Sequence, residues 1–156
     1  MIFSILIALG HWVYTSSFDS MRGQRTDVAG LESTQHPTLG YPYRGSTRAT
    51  LVLTRIQSQG FVQLIIEHAV VDCSDCEVLV KLDDSPARYW SADSRPSSDG
   101  FILTMDAPVD YHGVRTFNAP DEISHAHNIQ IEVPFYAKGA YQFKFSTSLP
   151  IEWPKK

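Results

Sequence analysis

The chain has 156 residues, of which 43% are apolar and 19% charged, the size and balance of one folded domain with a core large enough to do without a disulfide framework. A net charge of -4 argues against a broad phosphate-binding surface, because nucleic-acid affinity rests on clustered Lys and Arg. The arginines are spread from Arg22 to Arg115, so no nucleic-acid partner is expected.

The first ten residues, MIFSILIALG, are apolar and uncharged. They fall well short of the roughly 20 residues a transmembrane helix needs. Ala8-Leu9-Gly10 has the small-x-small pattern of a signal-peptidase site, so residues 1–10 read as a signal peptide, with His11-Trp12 as the mature start. The segment lacks a basic leader and its apolar stretch is short; the alternative is an N-terminal strand or helix packed on the body. Residues 11–156 then form a single β-sandwich domain, exported to a periplasmic or extracellular space.

From Trp12 to Arg48 the chain is rich in Ser, Thr, Gly, Asp and Arg, and reads as extended, loop-like structure with short strands. Residues 49–56 (ATLVLTRI) and 61–71 (FVQLIIEHAVV) are β-rich runs joined by a polar link ending in Gly60, which suits a hairpin. After Cys73 and Cys76, the apolar Val78, Val80 and Leu82 alternate with Glu77, Leu79 and Lys81, as a half-buried strand requires. Asp83-Asp84-Ser85-Pro86 is a turn, 87–92 a strand, 93–100 (DSRPSSDG) a surface loop, and 101–105 a short strand.

Residues 106–119 show no sustained period and read as loop, after which Pro120-Asp121-Glu122 suits the first turn of a short helix. Ile129, Ile131, Val133 and Phe135 alternate with polar neighbours, as do Tyr141, Phe143 and Phe145, giving two strands joined across 137–140. Six or seven strands with short links predict a mainly all-β fold: an antiparallel β-sandwich or barrel-like sheet with at most one short helix.

Cys73 and Cys76 admit three chemistries. A redox dithiol needs a helix N-terminus in a βαβ setting, whereas Cys76 leads into a strand. Zinc needs four ligands, and His125 and His127 complete a tetrahedral set with Cys73 and Cys76 if both project to one side, although His125 and His127 fall at the seam between helix and strand. His36, His68 and His112 are the other candidates. A disulfide closing the Ser74-Asp75 turn is the third reading, and the one an exported chain favours.

No Gly-flanked serine elbow and no Gly-rich phosphate loop is present, and Asp83-Asp84 is accounted for by its turn. No cofactor is indicated. Tyr and Trp suit recognition surfaces, and Tyr41, Tyr43, Tyr89 and Trp90 are the candidates for one. In an extended backbone at least one ring of each pair must point away from its neighbour's face.

Several segments together resemble a family of small, functionally uncharacterised bacterial proteins that usually carry a signal peptide. They are Trp12-Val13-Tyr14, Asp19-Ser20-Met21, Tyr41-Pro42-Tyr43-Arg44-Gly45, Ala49-Thr50-Leu51, Cys76 to Asp84, Ile131 to Tyr136 with Gly139, Phe143-Lys144-Phe145 and Trp153. The resemblance spans nearly the whole mature chain in order, departs at the close cysteine spacing, and implies export and a β-rich fold. It supplies no catalytic residues.

The expectation is therefore a non-catalytic, exported, disulfide-bearing protein that binds a protein or other envelope macromolecule, envelope-associated or inhibitor-like, and free to form a homo-oligomer. Two alternatives stand beside it: a phage-borne or structural β-module that self-assembles through strand edges, and a metal-dependent hydrolase using His125, His127 and Asp83.

Overall fold

A computed structural model describes residues 10–106 and 119–154. The sequence readings that rest on residues 1–9, on residues 107–118 with His112, and on the last two positions lie outside the described residues.

The described chain forms nine strands and one helix in the order β1 (Val13–Asp19), β2 (Gln24–Glu32), β3 (Arg48–Ile56), β4 (Gln59–Glu67), β5 (Cys76–Leu82), β6 (Arg88–Pro96), β7 (Gly100–Asp106), α1 (Ala119–His125), β8 (Asn128–Phe135) and β9 (Gly139–Ser146). All nine strands belong to one antiparallel sheet, ordered β1-β2-β3-β4-β7-β6-β5-β8-β9 and curled into a half-barrel. Of the two predicted forms, the barrel-like sheet is the one formed, and the sandwich is not. No described helix is long and apolar enough to cross a membrane.

Curling places every core residue on one face. Leu51 and Leu53, Leu64 and Ile66, Val78 and Val80, Trp90 and Ala92, Leu103 and Met105, Ile129 and Ile131, and Phe143 and Phe145 all occupy alternate positions and are buried. Their neighbours along each strand face outward and are mostly polar, the period-2 pattern of a sheet with one wet face.

Three elements differ from the sequence reading. The segment 12–48, expected as loop-like chain with short strands, holds two full-length strands, since β1 and β2 pair over seven residues from Val13↔Gly30 to Asp19↔Gln24. Its polar composition hid them. The run 93–100 is half strand: Asp93–Pro96 pair with β7, and only Ser97 to Asp99 turn. The 59–67 strand ends at His68, which has positive φ, so Val71 makes only an isolated bridge to Phe135.

One described connection crosses the sheet rather than joining neighbours. Residues 68–75 pass from β4 to β5 over the ends of β7 and β6, and carry the cysteines. At the opposite end lies α1, which precedes β8 and whose Ala119 and Ile123 are buried. Gly60 on β4 makes room for it: a Cβ there would stand 2.8 Å from the Pro120 side chain.

After β9, residues 147–154 return across the concave side. Ile151 donates its N–H to the Ser124 carbonyl at 2.9 Å, Glu152 donates to the Tyr14 hydroxyl at 2.9 Å, and Trp153 lies edge-on to Tyr14 and under the Arg55 guanidinium, 4.8 Å from its ring centre. The half-barrel thus has an α1 end and an opposite end, where the 33–47, 68–75, 97–99 and 136–138 connections gather.

Candidate functional site

Tyr41 and Tyr43 sit on the 33–47 loop at the end opposite α1. A turn closed by the Tyr43 N–H on the Gly40 carbonyl at 2.7 Å presents Tyr41 outward, 90% exposed. Tyr43 does something different. Its hydroxyl lies 2.5 Å from the Tyr136 carbonyl and 3.1 Å from the Val70 carbonyl, so its single proton is shared between two other loops. Burial, only partly offset by the bond to Val70, pushes its pKa above the ordinary phenol value, and it stays a neutral donor at physiological pH.

These ties make a rim of three loops. Tyr136 donates its N–H to the Val70 carbonyl at 3.0 Å, and Asp72 donates to Pro134 at 3.0 Å. Tyr136 is 60% exposed and Val70 is also solvent-facing. Arg44, Asp72 and Lys138 are exposed beside them. The base of the 33–47 loop is held by His36 Nε2 on Glu32 at 2.8 Å, with Arg48 3.2 Å from the same carboxylate and 3.7 Å from Glu67. The sequence offers Tyr136 only as one aromatic among many and does not join it or Val70 to Tyr43, because only the gathering of the 33–47, 68–75 and 136–138 connections at one end brings the three together.

The cysteine pair stiffens that crossing. Cys73 and Cys76 are disulfide-bonded with α-carbons 5.2 Å apart, and Asp75 between them has a φ of 55°. The Ser94 hydroxyl donates to the Cys73 carbonyl, tying the turn to β6.

Tyr89 and Trp90 separate as neighbouring strand residues must. Tyr89 is exposed on the outer face near the α1 end of β6, remote from Tyr41, while Trp90 is 0% exposed and is core. Trp90 therefore leaves the candidate surface. Its parity carried the signal: Trp90 and Ala92 share one face of the strand, while Tyr89, Ser91 and Asp93 share the other.

The Cys73, Cys76, His125, His127 metal set is not assembled. The backbone N–H groups of His127 and Asn128 donate to Asp83 Oδ1 at 3.0 and 2.8 Å, which fixes the histidines beyond the far end of β5. The cysteines lie at its start, about 20 Å away by strand rise. Both sulfurs are also occupied by each other. Among the described residues no three His, Cys, Asp or Glu side chains converge on a metal-sized site.

Asp83 and His125 do meet at a cleft of about 460 Å³ between α1 and the β5–β6 turn, floored by Leu82, Pro86 and Ala126. Arg88 and Glu122 pair across it at 2.5 Å. His125 Nδ1 donates to the Asp121 carbonyl at 2.8 Å. Asp83 Oδ1 is committed to the β8 backbone, so this carboxylate orients a strand start and does not orient the imidazole.

No protein-family model, curated protein or solved structure matches the chain.

Proposed function

We propose that the protein is an exported, non-catalytic binding module that recognises another macromolecule of the cell envelope through the tyrosine rim opposite α1. The observation that carries this reading is the exposure of Tyr41 and Tyr136 on loops cross-tied by the Tyr43 hydroxyl. Large aromatic side chains on loops whose backbones are tied together before contact lose less ordering entropy on binding, the property of interface anchors. Export is supported by the disulfide, by the apolar residues 1–10 and by the resemblance to signal-peptide-bearing bacterial proteins.

The test compares affinity capture from the envelope fraction of the source organism by the native chain and by a Tyr41→Ala/Tyr136→Ala variant. The variant keeps its circular dichroism and melting midpoint, because both rings are exposed. Species retained by the native chain are lost from the variant, and the loss is confirmed with the purified partner. Equal retention by both proteins overturns the rim as the binding surface.

A further inference from the structure

The two edges of the sheet are not alike. On β9 the Lys144 carbonyl is taken by the Thr34 N–H at 2.8 Å and by the Thr34 hydroxyl at 3.2 Å, and the lysine side chain stands at the edge, so that side is blunted. On β1, no described element other than β2 makes a backbone–backbone bond to residues 13–19; Glu152 reaches only the Tyr14 hydroxyl, and Met21 and Arg22 only the Asp19 carboxylate. Its pairing with β2 is continuous over seven residues, with no bulge, no proline, and no charge before Asp19. Natural sheets protect such an edge or use it to pair with another strand.

The sequence of β1 states what that strand is. In VYTSSFD, Tyr14 and Phe18 flank Ser16 symmetrically on the concave-facing side, and Phe18 is 67% exposed. Antiparallel pairing of β1 with itself, centred on Ser16, is the register that uses all seven residues. It sets Tyr14 opposite Phe18 of the second copy twice over, Thr15 opposite Ser17, and Ser16 opposite Ser16. Asp19 falls opposite Val13, so no like charges meet. Two aromatic cross-strand pairs are formed, each covering a Phe18 ring that is otherwise 67% exposed with the open part of a Tyr14 ring already braced by Trp153, and aromatic pairs are among the favourable cross-strand contacts.

We infer that the protein forms a two-fold dimer by β1–β1 pairing centred on Ser16, joining the half-barrels into one continuous sheet. Because the strands run antiparallel, the two tyrosine rims point in opposite directions, and the dimer bridges two partners.

The test rests on charge. Thr15 and Ser17 lie on the outer face and oppose each other across the dimer, so Thr15→Lys/Ser17→Lys puts lysine against lysine, and Thr15→Glu/Ser17→Glu puts carboxylate against carboxylate. Sedimentation equilibrium is expected to show a dimer for the native chain, monomers for each double variant with unchanged circular dichroism, and a dimer again when the two variants are mixed. A native chain that stays monomeric up to its solubility limit overturns the proposal. So do double variants that remain dimeric, or a mixture that remains monomeric.

Should either variant fail to fold, Ser16→Cys decides the matter. Opposed α-carbons about 4.5–5.5 Å apart lie within disulfide reach, so mild oxidation gives a covalent dimer, and the absence of one overturns the register.

Discussion

Asp27 shows how a single buried charge is made stable here. It lies on the core-facing side of β2, yet accepts hydrogen bonds from the Ser16 hydroxyl at 2.6 Å, Arg55 at 2.8 Å and Arg25 at 2.8 Å. Burial raises its pKa, but the three donors outweigh burial and hold it at about 2, against an ordinary 3.8. A depressed carboxylate contributes stability that is fully present above about pH 4 and is lost as pH falls through about 2. Asp27→Asn leaves the two half-exposed arginines without their common acceptor and is expected to cost about 1–3 kcal/mol at neutral pH. Urea melts at pH 5 and pH 2.5 check this: the native chain loses part of its stability at the lower pH, and the variant loses less. None of this was legible in the sequence, where Arg25-Thr26-Asp27 counted as polar loop. The arginine that completes the site, Arg55, reaches Asp27 only because β3 pairs with β2 in that register.

At the scale of elements, period-2 alternation identified β8, β9 and β5 without help, because their inward residues are Ile, Val, Leu or Phe with only Tyr141 and Cys76 added at the strand starts. The same rule failed on β1, whose inward positions are Tyr14, Ser16 and Phe18, and on the outer half of β6, where Ser94 faces inward and Pro96 ends the strand. Polar strands are held by their neighbours, and a single sequence does not show neighbours. The cysteine turn illustrates the converse. Its disulfide was expected from spacing and compartment, and its effect follows from loop length. A loop of about four residues removes little chain entropy, so the Cys73→Ala/Cys76→Ala variant is expected to stay folded and to lose about 2 kcal/mol or less. Chemical denaturation of the oxidised native protein and of the cysteine-free variant gives the difference. The rim should loosen more than the fold, read as faster amide exchange in residues 68–75.

Over the whole molecule, stability depends on filling the concave side of an incompletely closed barrel. α1 does this with Ile123, which is fully buried, and the chain after β9 does it with Ile151 and Trp153. Ile123→Ala is therefore expected to cost about 2–5 kcal/mol, as for other large core truncations. Thermal melts at matched protein concentration show it as a lowered midpoint, while an outward-facing substitution such as Gln130→Ala leaves the midpoint within error. The sequence by itself determined the β-rich class, the short helix near Pro120, the turn at Asp83 and the reach of the two cysteines, because each depends on residues near one another along the chain. Only the tertiary structure decided that nine strands share one sheet, that Trp90 is core, that the histidines and cysteines stand at opposite ends of β5, and that Tyr43 joins the loops bearing Val70 and Tyr136. Those outcomes depend on strand order and register, which are set by which faces can be buried together and are not written in any local stretch of chain.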